Sequence, residues 1–169
     1  MKAEALNLLK FLKKSSQFVI PIYQRNYSWT EVQCKQLWHD LIRAGRDDKI
    51  SAHFIGSIVY VERGLYSVAH QEPLLVIDGQ QRLTTCTLLI AALANHFKTE
   101  AIGELLEAFS NKKLRNYYLF NPDEEGVRQF KLLLSETDKD TLLSILQDSP
   151  MPAEFSNRIR EKFLLFKML

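Results

Sequence analysis

The hydrophobic pattern of this 169-residue chain changes period most sharply around residue 80. Leu74, Leu75, Val76 and Ile77 form an unbroken apolar run directly after Pro73, which predicts a short buried strand. From Arg82 onward, Leu83, Cys86, Leu89, Ile90, Leu93 and Phe97 recur every three or four positions, as on one face of a helix. Asp78-Gly79-Gln80-Gln81-Arg82 therefore sits where a buried strand turns into a helix.

The same reading extends along the chain. Residues 3–13 predict a short amphipathic helix that docks on the core through Ala5, Leu8, Leu9 and Leu12. Residues 18–20 read as a strand stopped by Pro21. Residues 23–29 fit no period and read as a loop, with Tyr27 and Trp29 plugging the core beneath it. Thr30 and Gln33 match a capping box that opens a helix with the stripe Cys34, Leu37, Trp38, Leu41 and Ile42. Residues 54–61 read as a strand interrupted by Gly56, a position that often marks close approach of another backbone or a ligand. Arg63-Gly64 suits a turn, with a return strand over 65–68.

Beyond the central helix, 100–109 is periodic through Ile102, Leu105, Leu106 and Phe109. Residues 112–120 and 127–134 flank a turn and predict a hairpin, the second arm being equally compatible with a helix. Ser135 or Thr137 caps a helix running to Leu146, and 153–169 returns to helical period. The chain stops inside that pattern, as a piece of a longer protein would.

The junction has chemical value of its own. The first N–H groups of a helix lack internal partners, and the helix dipole favours anions there. Gly79 permits a sharp turn and close approach, and Arg82 offers a planar fork of donors suited to phosphate. A purely structural account is also open: Asp78 and Gln81 match a capping box, and a capped helix needs no ligand. In the loop before the first long helix, Tyr23, Gln24 and Arg25 form a consecutive set able to stack on bases and pair with phosphate.

Composition changes this picture mainly by exclusion. Net charge is +2 with both signs interspersed, and apolar residues make up 46%, so no basic excess argues for a dedicated nucleic-acid binder. The two cysteines, Cys34 and Cys86, fall on apolar helix faces as packing thiols of a reducing, cytoplasmic protein. The N-terminus does not read as a signal peptide, and no apolar run is long enough for a membrane span. The four histidines show no ligand spacing; His53, just before the strand that holds Gly56, is the one of interest. A Walker-type loop is absent.

Asp78-Gly79-Gln80-Gln81-Arg82-Leu83-Thr84-Thr85 resembles the signature of the N-terminal domain of GmrSD-type, modification-dependent (type IV) restriction proteins, a domain similar to the ParB/sulfiredoxin fold. That family's upstream signature is intact as Ile20-Pro21-Ile22-Tyr23-Gln24-Arg25-Asn26-Tyr27-Ser28-Trp29. Lys131 to Leu134 with Asp138 is similar to its weaker third block. The resemblance implies an α+β domain over 1–110, a small mixed sheet with packed helices, followed by a hairpin and helical extension over 111–169. It implies a nucleoside triphosphate, with a divalent cation such as Mg, bound and hydrolysed within an anti-phage system. The alternative is a non-catalytic module that senses nucleotide or DNA phosphate and regulates a nuclease.

By that resemblance Gln80, Gln81 and Asp78 are the catalytic candidates, with a glutamine orienting the attacking water as in small GTPases and Asp78 contacting the metal. Tyr23, Gln24, Arg25, His53, Gly79, Arg82 and Thr84 are the nucleotide-binding candidates. The implied partners are DNA, through the full-length protein, and a downstream or separate His-Asn-His nuclease domain, with no membrane. Gln80 and Gln81 stand where sulfiredoxins carry a reactive cysteine and ParB-like proteins carry Glu and Arg. Sulfiredoxin chemistry is thereby excluded, and ParB chemistry does not transfer directly.

Overall fold

Phe18 is wholly buried, and the two-residue strand that it opens is an inner strand of the sheet. The computed structural model describes residues 4–62, 72–101 and 109–169. Among these, β1 (Phe18–Val19), β2 (Val59–Glu62), β3 (Leu74–Asp78) and β4 (Leu132–Leu133) form one mixed sheet in the order β2-β3-β1-β4. β1 runs parallel to both β3 and β4, with Phe18 level with Leu74 and Leu132. β2 runs antiparallel along the outer edge of β3, with an irregularity between Val59 and Tyr60. The ladder extends past the short strands: Leu74 N donates to Gln17 O at 2.7 Å, and Ile20 N to Leu133 O at 2.8 Å. A strand from beyond residue 110 thus completes the sheet.

Helices cover it. They are α1 (Leu8–Lys14), α2 (Glu31–Arg46), α3 (Gln80–Thr99), α4 (Asn111–Leu114), α5 (Glu136–Gln147) and α6 (Asn157–Met168). α1 docks on the core through Leu12, which is buried, and Leu8, Leu9 and Phe11, which pack against the cluster, but the helix begins only at Leu8 and the expected contact Ala5 lies exposed ahead of it. α2 opens on the expected capping box, Thr30 N donating to Gln33 Oε1 at 2.8 Å. Ser135, not Thr137, occupies the N-cap position of α5, without a side-chain capping bond.

α3 is buried on almost every side and packs against α4 and α6. A helix buried all round has to satisfy its polar residues internally. Thr85 Oγ1 donates to Gln81 O at 2.8 Å and Thr87 Oγ1 to Leu83 O at 2.9 Å, each one turn back. The core is a single cluster from Leu12 to Phe166 that includes Tyr27, with Trp29 packed against it, so both aromatics plug the core as expected.

Three readings of the pattern need correction. The hairpin over 112–120 and 127–134 does not form. Its first arm is α4 continued by a π-helical turn, Arg115–Leu119, which buries Leu114, Tyr118 and Leu119. The second arm is a 3-10 turn, Gly126–Gln129, that leads into β4, and the arms share one bridge, Phe120 with Phe130. The strand expected over 54–61 begins at Val59, because 56–58 lies against the strand-to-helix junction instead. Asp78 does not cap α3; Gly79 does. The turn at Arg63-Gly64, its return strand and most of 100–109 lie outside the described residues.

Burial sets an alkaline limit on stability. It pushes the Cys86 thiol from 9.0 up to about 12, and it raises Cys34 and, aided by the contact with Cys34, Tyr27. All three groups fold in their neutral forms. Their contribution is full below about pH 9 and is lost as pH rises through the thiol and phenol range; Lys131, lowered by burial, acts in the opposite sense. Melting temperature should therefore fall steadily from about pH 9 upward, and less steeply in Cys86→Ala. A flat profile to about pH 11 would contradict this account.

Candidate functional site

Two glycines fix the junction between β3 and α3. Gly79 caps α3 with φ +90°, a left-handed conformation that side chains disfavour. The backbone of Ser57 and Ile58 lies directly against it: a Cβ on Gly79 would stand 2.7 Å from Ser57 O. The close approach that Gly79 permits is therefore that of the chain's own 57–58 segment. Gly56, at φ +101°, makes room for Arg82, since a Cβ there would stand 2.5 Å from Arg82 Nε. Arg82 Nη1 donates to Ser57 O at 3.1 Å. Among the described residues no carboxylate pairs with Arg82. A guanidinium has five N–H donors, and among the described residues one bond to a protein acceptor engages this fork.

The second signature folds over the same junction and is held by glutamines. Gln80 Nε2 donates to Arg25 O at 2.7 Å. Gln81 Nε2 donates to Asn26 O at 3.3 Å, and its Oε1 accepts from Ser28 N at 2.8 Å. Gln24 Nε2 donates back to Ile77 O at 2.8 Å. Gln80 and Gln81 are buried at 7% and 8% exposure, where unbonded amides would be costly, so the loop carbonyls satisfy them. Asp138 adds a further tie, its Oδ2 accepting from Tyr27 N at 2.6 Å. The Tyr27 hydroxyl meets Thr85 Oγ1 at 2.8 Å. Thr85 gives its own proton to Gln81 O, so Tyr27 is the donor.

A partly open cavity of about 10 Å³ is lined here by Arg25, Tyr27, Gln80, Gln81, Thr84 and Asp138, among others. That is roughly the space of one water. Of the candidates, Arg25, Gln80, Gln81 and Thr84 line it; Gln24 is tied to the end of β3, and Asp78, Gly79 and Arg82 belong to the junction without lining the cavity. Tyr23 stands exposed on the loop at 70%. His53 is held elsewhere, its Nε2 lying 3.9 Å from Asp40 Oδ2 on α2. Asp78 is exposed. Among the described residues no group of three or more His, Cys, Asp or Glu converges as a metal site. A lone carboxylate is still compatible with a divalent ion delivered on phosphates, because Mg²⁺ in such sites takes one or two protein carboxylates and keeps several waters.

Sequence reasoning named Asp138 only as part of the third block, without its role of accepting the Tyr27 N–H through its carboxylate. It did not find Ser57, which acts through a backbone carbonyl that carries no residue-type signal. It did single out Gly56, without identifying Arg82 as the group that approaches it.

The fold and junction define a small α+β domain with an arginine-bearing strand-to-helix turn at the C-terminal end of an inner parallel strand. The chain belongs to the family described as GmrSD restriction endonuclease, N-terminal domain, whose family model matches residues 8–167. It is thus a domain of a restriction, or defence, protein. No curated protein matches the chain. Among the described residues no helix is long and apolar enough to cross a membrane.

The glycine cradle makes a direct prediction. Gly56→Ala places a side chain both at positive φ and against Arg82, and should cost about 1–3 kcal/mol of stability. Gly45→Ala, inside α2 with nothing within 4 Å of the new Cβ, should be neutral or stabilising by about 0.5–1 kcal/mol. Equal melting temperatures for the two variants would show that the cradle is not tight.

Proposed function

We propose that this domain binds and hydrolyses a nucleoside triphosphate at the β3–α3 junction, in the service of a DNA restriction system. The observation that carries the reading is Arg82: a guanidinium fixed in place by Gly56 and Ser57 O, with no acidic partner among the described residues and most of its donors unengaged. Arg25 lines the small cavity next to the junction, exposed, with its side chain unpaired among the described residues. Carboxyl ends of parallel strands are where open α/β sheets receive ligands. In this reading Arg82 and Arg25 clamp phosphates, and the first N–H groups of α3 add donors. Tyr23 stacks on the base, Gln80 or Gln81 orients the water, and Asp78 touches the Mg²⁺ through a water. The DNA and the His-Asn-His nuclease partner act with the full-length protein.

A specific observation also favours a second reading, a module that senses nucleotide or DNA phosphate without turnover. Both glutamine amides are engaged by the 25–28 backbone, and the small cavity is far below nucleotide size. Measured release of phosphate separates the two readings: turnover supports the first, and saturable binding without turnover supports the second.

Calorimetric titration of triphosphate tests the site itself. Arg82→Ala should weaken binding by about 2–5 kcal/mol, roughly thirtyfold to several thousandfold. Arg82→Lys should recover only part of this, because a point charge does not reproduce the fork. If Arg82 only holds the 57–58 segment, Arg82→Ala lowers the melting temperature and leaves affinity intact, and the proposal fails. The isolated domain should not cleave DNA with any divalent metal; cleavage abolished by a substitution in this chain would contradict that expectation.

A further inference from the structure

The parallel strands have a second end, and a groove of about 420 Å³ lies there. Its walls come from the residues that lead into each parallel strand: Ser15 to Gln17 before β1, Glu72 and Pro73 before β3, and Lys131 before β4. The volume is that of a small-ligand site, many times the cavity at the junction. Lys13, Lys14, Arg128 and Lys131 all line it. None of these cations is ion-paired among the described residues. The carboxylates of Glu72, Asp123 and Glu124 also line the groove, but they sit outside ion-pair distance of all of them.

Lys131 is the informative residue. It is 6% exposed, and its ammonium donates to Ser15 O at 2.5 Å and Lys13 O at 3.4 Å. Those are neutral acceptors, and an ammonium has three donors, so one N–H is left without a protein acceptor among the described residues. A buried cation without a counter-ion is costly; accordingly burial holds its pKa below the ordinary lysine value. The rest of the wall is built and rigid. Asn121 Nδ2 donates to Ser16 O and Arg128 O at 2.5 and 2.9 Å. Gln17 Nε2 donates to Val127 O and Phe130 O at 2.8 and 2.9 Å. The Lys13 ammonium lies 4.1 Å over the Tyr117 ring. An anion in the groove would give Lys131 its missing counter-charge and gather the outer cations around it.

We propose that this groove, at the opposite end of the parallel strands from Arg82, is a separate binding site for a phosphate-bearing ligand, held by Lys131 at its base and by Lys13, Lys14 and Arg128 around it. The phosphate belongs either to a free nucleotide or to a DNA backbone, and the two sources are separable. Lys14 and Arg128 are exposed, so Lys14→Glu/Arg128→Glu alters the groove without disturbing the bonds of Lys131. Wild type, this double variant and Arg82→Ala are each titrated with ATP, with GTP and with a short DNA duplex over a range of salt, with melting curves to verify folding.

If the groove holds a DNA phosphate, the double variant loses about tenfold or more in duplex affinity. Its log–log salt slope becomes shallower by about 1.8, the value for two lost phosphate contacts, and nucleotide binding is unchanged. If the groove holds a free nucleotide, the double variant loses nucleotide affinity by a similar factor and keeps the duplex. In either case Arg82→Ala retains the groove ligand. A folded double variant that binds all three probes like wild type overturns the proposal, as does a wild type that binds none of them. Nucleotide affinity lost only in Arg82→Ala counts for the junction site and not for the groove, so the two proposals fail independently.

Discussion

The interlock of Gly79, Gly56 and Arg82 is the constraint on which the candidate site depends. With a Cβ on Gly79 the 57–58 backbone has no room, and with one on Gly56 the guanidinium has none. Each glycine also adopts a positive φ, so neither position tolerates an ordinary residue on conformational grounds either. The crossing segment is then held by Arg82 through Ser57 O. This one contact carries two consequences. It holds the 57–58 backbone against Gly79, and it fixes the direction of the arginine that holds it.

The loop signature is held differently, by side-chain amides on backbone carbonyls and N–H groups. Gln24, Gln80 and Gln81 each contribute hydrogen bonds between the loop and the junction, and each such bond is worth only about 0.5–1.5 kcal/mol net. Their value lies in specificity of placement. Leaving any of these amides buried and unbonded would cost more than the bond itself contributes, so other loop conformations are disfavoured. Tyr27 anchors the loop from below through Asp138, Thr85 and Cys34, which leaves Ile22 and Tyr23 exposed at its tip.

Much of this was legible in the sequence, for reasons that can be named. The apolar run at Leu74 and the helical stripe from Leu83 mark the right strand and helix, although the strand is buried only at Leu74 and Val76 and Ile77 is exposed. Gly56 and Gly79 were legible as close approaches because glycine has few other uses in those settings. Asp78 misled by one residue: it has the chemistry of a cap, but Gly79 reaches the left-handed cap conformation without strain. Residues 112–120 misled because Tyr117, Tyr118 and Phe120 have high strand propensity, whereas Leu114, Tyr118 and Leu119 share a buried helical face only once the wider π turn is allowed. The roles of Gln80 and Gln81 were not legible at all. Their partners lie more than fifty residues away and are backbone atoms, so no residue pattern encodes them.

Charge shows the same limit in a more general form. A net +2 from interspersed residues predicts no strong field, and as an average that holds. Folding redistributes those charges. Arg25 and Arg82 come to the C-terminal end of the parallel strands, where Asp138 accepts the Tyr27 N–H and Asp78 is left exposed. Lys13, Lys14, Arg128 and Lys131 come to the other end. β1 is only two residues long, so Gln17 and Ile20 mark the two ends at about 10 Å apart along the strand, at ~3.3 Å per residue. That span alone exceeds the Debye length of about 8 Å at physiological salt, so exposed charges beyond the two ends are largely screened from one another. The parallel order of β3, β1 and β4 thus sorts these cations to opposite ends of a thin sheet, an arrangement that composition averages away.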